Sequence, residues 1–267
     1  FHTVNDFLRR SMRMLDPAEI ARSSEVITGP EGNELAWTFL CIAGSNLVTA
    51  EWLNHRGNLV GTVDLVKIAL DRPVDWGSHD GLMEQHGISA ALRAYRMHRL
   101  QEEVAEWEAE MEKEGAKDKP RPTLDSVELR GLWIDVDEHV RRVVSMMRDN
   151  QRGDGGFDSS WANPGEGEKA AGAEEITLYT ALALDLLATA LPDEKLEEPL
   201  VTDTMNRLAS VVRKNRFQLY DKVIPLTHAA HALRSYRERL ENKDEPITFP
   251  KPYKEDFEKA PTCCEWD

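Results

Sequence analysis

The sequence predicts an all-α fold built from repeated helical hairpins. Three observations lead to this prediction. Apolar residues recur with the 3.6-residue period of an α-helix through most of the 267 residues. Runs of alternating β-branched residues bounded by turns, which predict strands, are nearly absent. Two six-residue segments are almost identical, since residues 91–96 read ALRAYR and residues 232–237 read ALRSYR.

The two similar segments indicate an internal repeat. They lie 141 residues apart, and a segment rich in Ala and Leu falls between them. Leu92, Leu184 and Leu233 align as equivalent positions, separated by 92 and 49 residues. The spacing between repeats is therefore roughly 47 residues, within the range of known helical repeats.

Each predicted hairpin pairs an amphipathic helix with a more apolar one. The apolar helix must be buried on most sides, and the amphipathic helix covers it. This alternation predicts two layers, as in a closed or partly closed double ring, although an open helical array or an irregular bundle gives the same pattern. The amphipathic outer helices are predicted at 6–16, 58–70, 135–150 and 200–215, and the apolar inner helices at 35–50, 84–100, 174–191 and 226–240.

The hairpins define one helical domain over residues 1–244, followed by a tail. Within this domain, residues 101–130 are predicted to be an insertion, first a charged and solvated helix and then a loop broken by prolines. The tail, residues 245–267, holds four of the 13 prolines and is predicted to be either extended on the surface or disordered. Its aromatic residues, Phe249, Tyr253, Phe257 and Trp266, are spaced as if to anchor it in a groove.

The loop after the third outer helix carries a family resemblance. Residues 151–157 read QRGDGGF, which resembles the turn Gln-x-x-Asp-Gly-(Gly or Ser)-(Phe or Trp) of the α/α-toroid superfamily. That group includes terpenoid cyclases, protein prenyltransferase β-subunits, some pectate lyases and complement-like thioester domains. The resemblance implies an α/α-toroid, complete or incomplete, in which the turn joins an outer helix to the next inner one. In such a turn Gly155 and Gly156 permit positive φ, Asp154 accepts backbone N–H groups, Phe157 packs between hairpins, and Gln151 caps the preceding helix.

The known catalytic motifs of that superfamily are not matched. The segment Asp135-Val136-Asp137-Glu138 is similar to the Asp-x-Asp-Asp motif of terpenoid cyclases, but it opens an outer helix, where the helix dipole favours acids. The sequence has neither the Asp-x-Cys pair of zinc prenyltransferases nor the Cys-Gly-Glu-Gln segment of thioester proteins. Any chemistry must therefore come from other residues.

The N-termini of the inner helices are predicted to gather at one rim. Acids and histidines there suggest two kinds of site. One is a divalent-metal site, since carboxylates and imidazoles are metal ligands; the other is an acid–base pair. The simpler interpretation is structural, because the first turn of a helix favours acids. The metal candidates are His79, Asp80, Glu84 and His86, and the catalytic candidates are Glu84, His86, Glu175 and His228.

Four arginines recur with the repeat, namely Arg93, Arg96, Arg234 and Arg237. The two members of each pair are three residues apart and share one face of an inner helix. They either pair with acids of the outer helices, which is the favoured interpretation, or line a cavity that accepts an anion.

The composition argues against two classes of partner. The formal net charge is -15, which disfavours nucleic acid, since a phosphate binder needs a basic surface. No apolar run approaches the length of a membrane-spanning helix. Because the chain begins at Phe1, we expect it to be processed or cropped, which allows a removed signal or anchor and leaves the compartment open. Cys41 is predicted to be a buried thiol, while Cys263 and Cys264 lie in the tail without metal-ligand spacing.

Two functions are compatible with these observations. The leading hypothesis is a non-catalytic binding or scaffolding toroid, which holds a small ligand, a glycan or a protein segment at its acidic rim or cavity. The alternative is an enzyme, namely a lyase, cyclase or hydrolase that acts on a polysaccharide or an isoprenoid-like substrate through the carboxylate and histidine set. A divalent metal is the one cofactor that the residues suggest.

Overall fold

A computed structural model describes residues 34–45, 47–77, 79–112, 119–163 and 171–241. This part of the chain is all-α, as the sequence predicts, with eight α-helices and one two-stranded antiparallel sheet. The helices are α1 (Glu34–Gly44), α2 (Thr62–Leu70), α3 (Leu82–Met111), α4 (Leu132–Asn150), α5 (Ala173–Ala190), α6 (Pro199–Lys214), α7 (Arg216–Leu219) and α8 (Val223–Glu241), and the strands are β1 (Glu51–Leu53) and β2 (Leu59–Gly61).

Four helices form an inner layer in which each packs on the next. The helix α1 contacts α3, α3 contacts α5, and α5 contacts α8. The inner helices α3 and α5 run in the same direction, because their contacts advance together along both. Asp80, just before α3, contacts Tyr179 near the start of α5. Further along the same two helices, His86 contacts Thr189.

Three amphipathic helices form an outer layer over this row. The helix α2 contacts α3 and α4, α4 also contacts α3 and α5, and α6 contacts α5 and α8. The buried residues of α4 recur every three to four positions, as in Trp133, Val136 and Val140, so one stripe faces the inner layer. The helix α5 is buried on most sides because it has an inner neighbour on each flank. The helices predicted as outer at 135–150 and 200–215 lie in this layer. The helix predicted at 58–70 lies there only from Thr62, because its first residues form the strand β2.

The first inner helix is shorter than predicted. The sequence predicts helix to residue 50 and almost no strand, but α1 ends at Gly44 and the chain then forms β1 and β2. In the turn between the strands, Oδ1 of Asn54 accepts hydrogen bonds from the N–H groups of Arg56 and Asn58, both at 3.0 Å. Such local bonds give the backbone an alternative to helix. The predicted helix is therefore wrong beyond Gly44.

The thiol of Cys41 is exposed, contrary to the prediction of a buried cysteine. It lies in an apolar run, but only one side of α1 faces the core. Leu35, Phe39 and Ile42 are buried at helical spacing, and Cys41 falls between these positions. An apolar run on a helix therefore does not bury each of its members.

The predicted insertion begins as an extension of α3. This helix continues to Met111, and its last turns carry charged residues, as expected for a solvated helix. The short 3₁₀ turn Leu124–Ser126 follows, and its Leu124 packs against Leu100 and Val104 of α3. The predicted helix at 6–16 and the predicted tail at 245–267 lie outside the described residues. None of the described helices is both long enough and apolar enough to cross a membrane.

The turn over residues 151–157 has the geometry expected from the sequence at three of its positions. Gly155 has a φ of 85°, and a Cβ there would lie 2.7 Å from the main-chain oxygen of Asp203 on α6, so the position requires glycine. Asp154 accepts the N–H of Gly156 at 3.1 Å. Phe157 is buried in the core around α5.

The fourth position of the turn differs from the expectation. Gln151 was expected to cap α4, but its Nε2 group donates to the main-chain oxygen of Leu200 at 3.0 Å and contacts Oγ1 of Thr204 at 2.9 Å. Both partners lie on α6. Gln151 therefore ties the turn to the next outer helix, because its side chain is long enough to reach that helix.

Candidate functional site

Asp185 of α5 is the centre of the candidate site. It is the one charged residue in the apolar run 181–188, and it is 3% exposed. A buried carboxylate is costly unless it is hydrogen-bonded. Histidines from both neighbouring inner helices lie around it, namely His86 of α3 and both His228 and His231 of α8. We call Asp185 and these three residues the histidine cluster.

His231 bonds directly to the central carboxylate. Its Nδ1 lies 2.7 Å from Oδ2 of Asp185. This hydrogen bond raises the pKa of His231, and burial opposes the effect. The side chain is nevertheless 62% exposed. The buried carboxylate therefore orients an imidazole whose other nitrogen, Nε2, is directed away from it.

The pKa values of the other two histidines of the cluster, His86 and His228, are shifted downward. Burial lowers the pKa of both His86 and His228, and the charge of Asp185 offsets only part of this effect. Nε2 of His86 lies 3.2 Å from Oγ1 of Thr189. The ring of His228 lies 6.3 Å, centroid to centroid, from that of His79. Asp185 thus lies near one histidine whose pKa is raised, His231, and two histidines whose pKa is lowered, His86 and His228.

The loop before α3 brings a strained segment to the same region. His79 and Asp80 have φ of 53° and 49°, in the left-handed region that residues other than glycine seldom adopt. Nε1 of Trp161 donates to the main-chain oxygen of Asp80 at 2.8 Å, and the hydroxyl of Tyr179 donates to its carboxylate. Burial and the bond to Asp80 raise the pKa of Tyr179. Strain of this kind persists when the surroundings enforce it, and it is concentrated at functional sites.

Glu84 lies on a different face of α3 from the histidine cluster. Glu84 and His86 are two positions apart, and such residues do not face each other on a helix. Glu84 is buried against the loop between α2 and α3, where a Cβ on Gly77 would collide with its carboxylate. Its charge also raises the pKa of Arg72, against the larger effect of burial. The structure therefore does not bring Glu84 and His86 together.

The four predicted metal ligands are also not assembled. His79 and Asp80 lie in the loop beside Tyr179, while Glu84 and His86 point to different sides of α3. Across the described ranges, no three His, Cys, Asp or Glu side chains are grouped as a metal ion would require.

The acids at the start of α5 make contacts that fix the fold. Glu175 accepts hydrogen bonds from the hydroxyl and the N–H of Ser159, at 2.6 and 3.3 Å. Glu174 pairs with Lys222, just before α8, at 3.1 Å. Of the four predicted catalytic residues, the structure thus places His86 and His228 in the histidine cluster, and Glu84 and Glu175 outside it.

The repeated arginines have different surroundings. Arg96 pairs with Asp137 of the outer helix α4 at 2.5 Å, which is the favoured interpretation of the sequence. Arg234 and Arg237 pair with acids of their own helix. Arg93 makes no hydrogen bond or ion pair with any residue of the described ranges.

The sequence reasoning missed Asp185, His231 and Tyr179. The sequence does contain a signal for Asp185 and His231. Asp185 is a lone acid in an apolar inner helix, and a buried charge there needs a partner. His231 follows 46 residues later, which is close to the predicted repeat spacing of roughly 47 residues, so a search at that spacing could have found it.

Comparison with models of protein families finds no match for this chain, and no curated protein or solved structure matches it. The geometry of the histidine cluster and its loop is therefore the basis for assigning a function.

Proposed function

We propose that this protein is a binding protein of the α/α-toroid type, which holds a polar ligand on the inner layer at the histidine cluster. The observation that carries the proposal is the position of Asp185, a buried carboxylate with histidines on both neighbouring helices. A carboxylate with protonated and neutral imidazoles offers hydrogen-bond donors and acceptors in one place. The bound group is a small ligand, a glycan or a protein segment.

Two features support the toroid part of the proposal. The inner helices α3 and α5 run in one direction, and outer helices contact them, as stacked hairpins require. The turn over residues 151–157 joins successive hairpins, because the N–H of Phe157 donates to Thr180 of α5 at 3.1 Å and Gln151 contacts Thr204 of α6. These contacts are those of a turn that sets the spacing between hairpins.

The surface beside the histidine cluster is apolar and exposed. Ile224 lies four residues before His228 on α8, so the two share a stripe of the helix. Ile224 is exposed, as are Phe217 and Tyr220 immediately before α8. Exposed apolar residues next to a few polar groups are typical of binding sites. Exposed aromatic rings near the start of α8 favour a glycan among the three kinds of ligand, because a sugar has both an apolar face and hydroxyls.

Native mass spectrometry and a glycan array test this proposal on the full chain. The variants are Asp185→Asn and, as a matched control, His98→Gln, since His98 lies on α3 outside the cluster and contacts Glu102. We expect the wild type and the control to show the same bound mass or array signal, and Asp185→Asn to lose it. A wild type with a bare mass and no array signal would contradict the proposal.

A second candidate function is acid–base catalysis at the same cluster. It is favoured by the opposite pKa shifts of His231 and His228, because groups whose pKa values are driven apart can serve as an acid and a base. In this mechanism His231 donates a proton and His228 accepts one. Incubation with polysaccharides and isoprenoid compounds, followed by product analysis, tests it. Turnover that persists in His231→Gln would exclude this assignment.

A further inference from the structure

Arg93 lies in a small pocket that adjoins the histidine cluster. His86, Ser89 and Arg93 are three and seven positions apart, so they share the side of α3 that faces α5. The polar residues that line the pocket include Ser89, Arg93, Asp125 and Thr189. Thr189 also contacts His86 at 3.2 Å. Thr189 therefore links the pocket to the cluster at the interface of two inner helices.

The charge of Arg93 has no direct partner in the described part of the chain. Burial, together with the nearby charges of Arg239 and Arg96, lowers the pKa of Arg93 to about 10, while Asp193 and Asp125 act in the opposite direction. A charge that is withdrawn from water without a partner is costly. The position is therefore one where an added anion would stabilise the folded protein.

The other two cations nearby are already engaged. Arg96 pairs with Asp137. Arg239 bonds to the main-chain oxygens of Ala188 and Leu191 at the end of α5 and to Asp193. Arg239 thereby neutralises the carbonyl groups at that helix end, which would otherwise repel an anion. Arg93 is the cation of this group that remains available.

We propose that Arg93 binds an oxyanion, a carboxylate or phosphate group of the ligand that the histidine cluster holds. A guanidinium presents N–H groups in the geometry that matches such groups, and the side chains of Ser89 and Thr189 line the same space. The pocket has room for about one water-sized group. A terminal oxygen of the ligand enters it. This inference rests on the proposed function, because it assigns the oxyanion to the same ligand.

Asp125 is the competitor for Arg93 in this pocket. Burial is the main cause that raises the pKa of Asp125, and the charge of Glu194 adds to it. Asp125 and Arg93 line the same space, yet no hydrogen bond or ion pair joins them. A carboxylate there repels a second anion. Removal of its charge must therefore tighten anion binding if Arg93 is the anion's ligand.

Small anions test the pocket without the full ligand. Calorimetric titrations of the full chain use inorganic phosphate in one series and acetate in the other, at constant ionic strength. The variants are Arg93→Gln, Arg93→Lys and Asp125→Asn, and Arg237→Gln is the control, since Arg237 is exposed and pairs within α8. Arg93→Lys keeps the charge if Arg93→Gln does not fold.

We expect Arg93→Gln to weaken anion binding at least tenfold, Arg93→Lys to retain part of it, and Asp125→Asn to strengthen it. The control should bind as the wild type does. Binding of acetate alone identifies a carboxylate ligand, and binding of phosphate identifies a phosphorylated one. If Arg93→Lys and the wild type bind neither anion, or if Asp125→Asn weakens binding, the proposal is overturned. The anion titrations of the Arg93 variants report on this inference, whereas the native mass and array signals of Asp185→Asn report on the proposed function, so the failure of one is distinguishable from the failure of the other.

Discussion

His139 of α4 and Gln85 of α3 share a hydrogen bond of 2.7 Å between the ring Nε2 and the side-chain oxygen. The guanidinium of Arg142, which can only donate, contacts Nδ1 of the ring at 2.9 Å. His139 therefore carries its proton on Nε2. The amide nitrogen of Gln85 in turn donates to the main-chain oxygen of Val74 at 3.1 Å. This chain of bonds is complete only while His139 is neutral.

We expect the protein to lose stability as the pH falls from about 6.5, the ordinary pKa of histidine, toward 4. Burial, and then the charge of Arg142, lower the pKa of His139 in the folded protein to about 4. Between these values the unfolded chain binds a proton that the folded chain does not, so the free energy of unfolding falls. His139→Gln removes this titration. Urea denaturation between pH 7.5 and 4 should show a smaller loss in the variant, and an equal loss would argue against the assigned proton.

Asp185→Asn should lower the pKa of all three histidines in the cluster. The carboxylate raises the pKa of His231 through a hydrogen bond, and it raises those of His86 and His228 through its charge. NMR titration of the imidazole protons measures each value. His139 serves as the internal control, because burial and Arg142 set its pKa and Asp185 does not, so its value should not move. If the three values are unchanged in the variant, these histidines do not surround Asp185.

Asp185→Asn should also change how the stability of the protein depends on pH. Because the folded pKa of His231 is raised, its bond to Asp185 contributes fully below the ordinary pKa and is lost as the pH rises through the raised value. The stability difference between wild type and Asp185→Asn should therefore be larger at pH 5 than at pH 9. The opposite trend would contradict the direction assigned to His231.

Gly155→Ala should destabilise the protein by about 2 kcal/mol or more. The position has a φ of 85°, and the added Cβ would meet the main-chain oxygen of Asp203 at 2.7 Å. Gly153→Ala is the matched control in the same turn, because no atom lies within 4 Å of the added Cβ. Its effect on the free energy of unfolding should stay within about 0.5 kcal/mol. Equal effects in urea denaturation would rule out the described geometry of the turn.

Trp161→Phe should lower the free energy of unfolding by about 1–3 kcal/mol. The variant keeps an apolar ring but removes the N–H group that donates to the main-chain oxygen of Asp80. Trp107→Phe removes a similar bond, to the main-chain oxygen of Lys119 at 3.0 Å, on the exposed part of α3. In Trp107→Phe, water can donate to that oxygen instead, so this control should lower the free energy of unfolding by less than about 1 kcal/mol. The comparison uses the free energy of unfolding of both variants. A larger loss in Trp107→Phe would mean that Trp161 does not hold the strained loop.

The helices could be predicted because their signals are local. Apolar positions at helical spacing are sufficient to identify α4 and α6. The apolar segments around Leu92 and Leu184 are likewise sufficient to predict the inner helices that contain them. The strands β1 and β2 could not be predicted, because they depend on Asn54, whose side chain bonds to the backbone of the turn. Such bonds leave no periodic pattern of apolar residues.

The candidate site could be predicted only in part, because residue spacing gives the face of a helix but not its partner. The sequence points to His86 and His228 because acids and histidines are concentrated at the predicted starts of the inner helices. Glu84 was included because it is near His86 in sequence, although two residues at that spacing point apart. Asp185 lies within the helix and not at its start, so a search of the helix ends missed it.

The row of inner helices also determines which parts of the protein unfold together. In a linear array each helix is stabilised by its immediate neighbours, so opening begins at the ends of the row. The helix α5 has neighbours on both sides, whereas α8 has an inner neighbour on only one side within the described residues. His228 and His231 therefore belong to a less protected helix than Asp185 does. A ligand that spans α5 and α8 would close this end of the array, so ligand affinity and resistance of α8 to hydrogen exchange are thermodynamically linked.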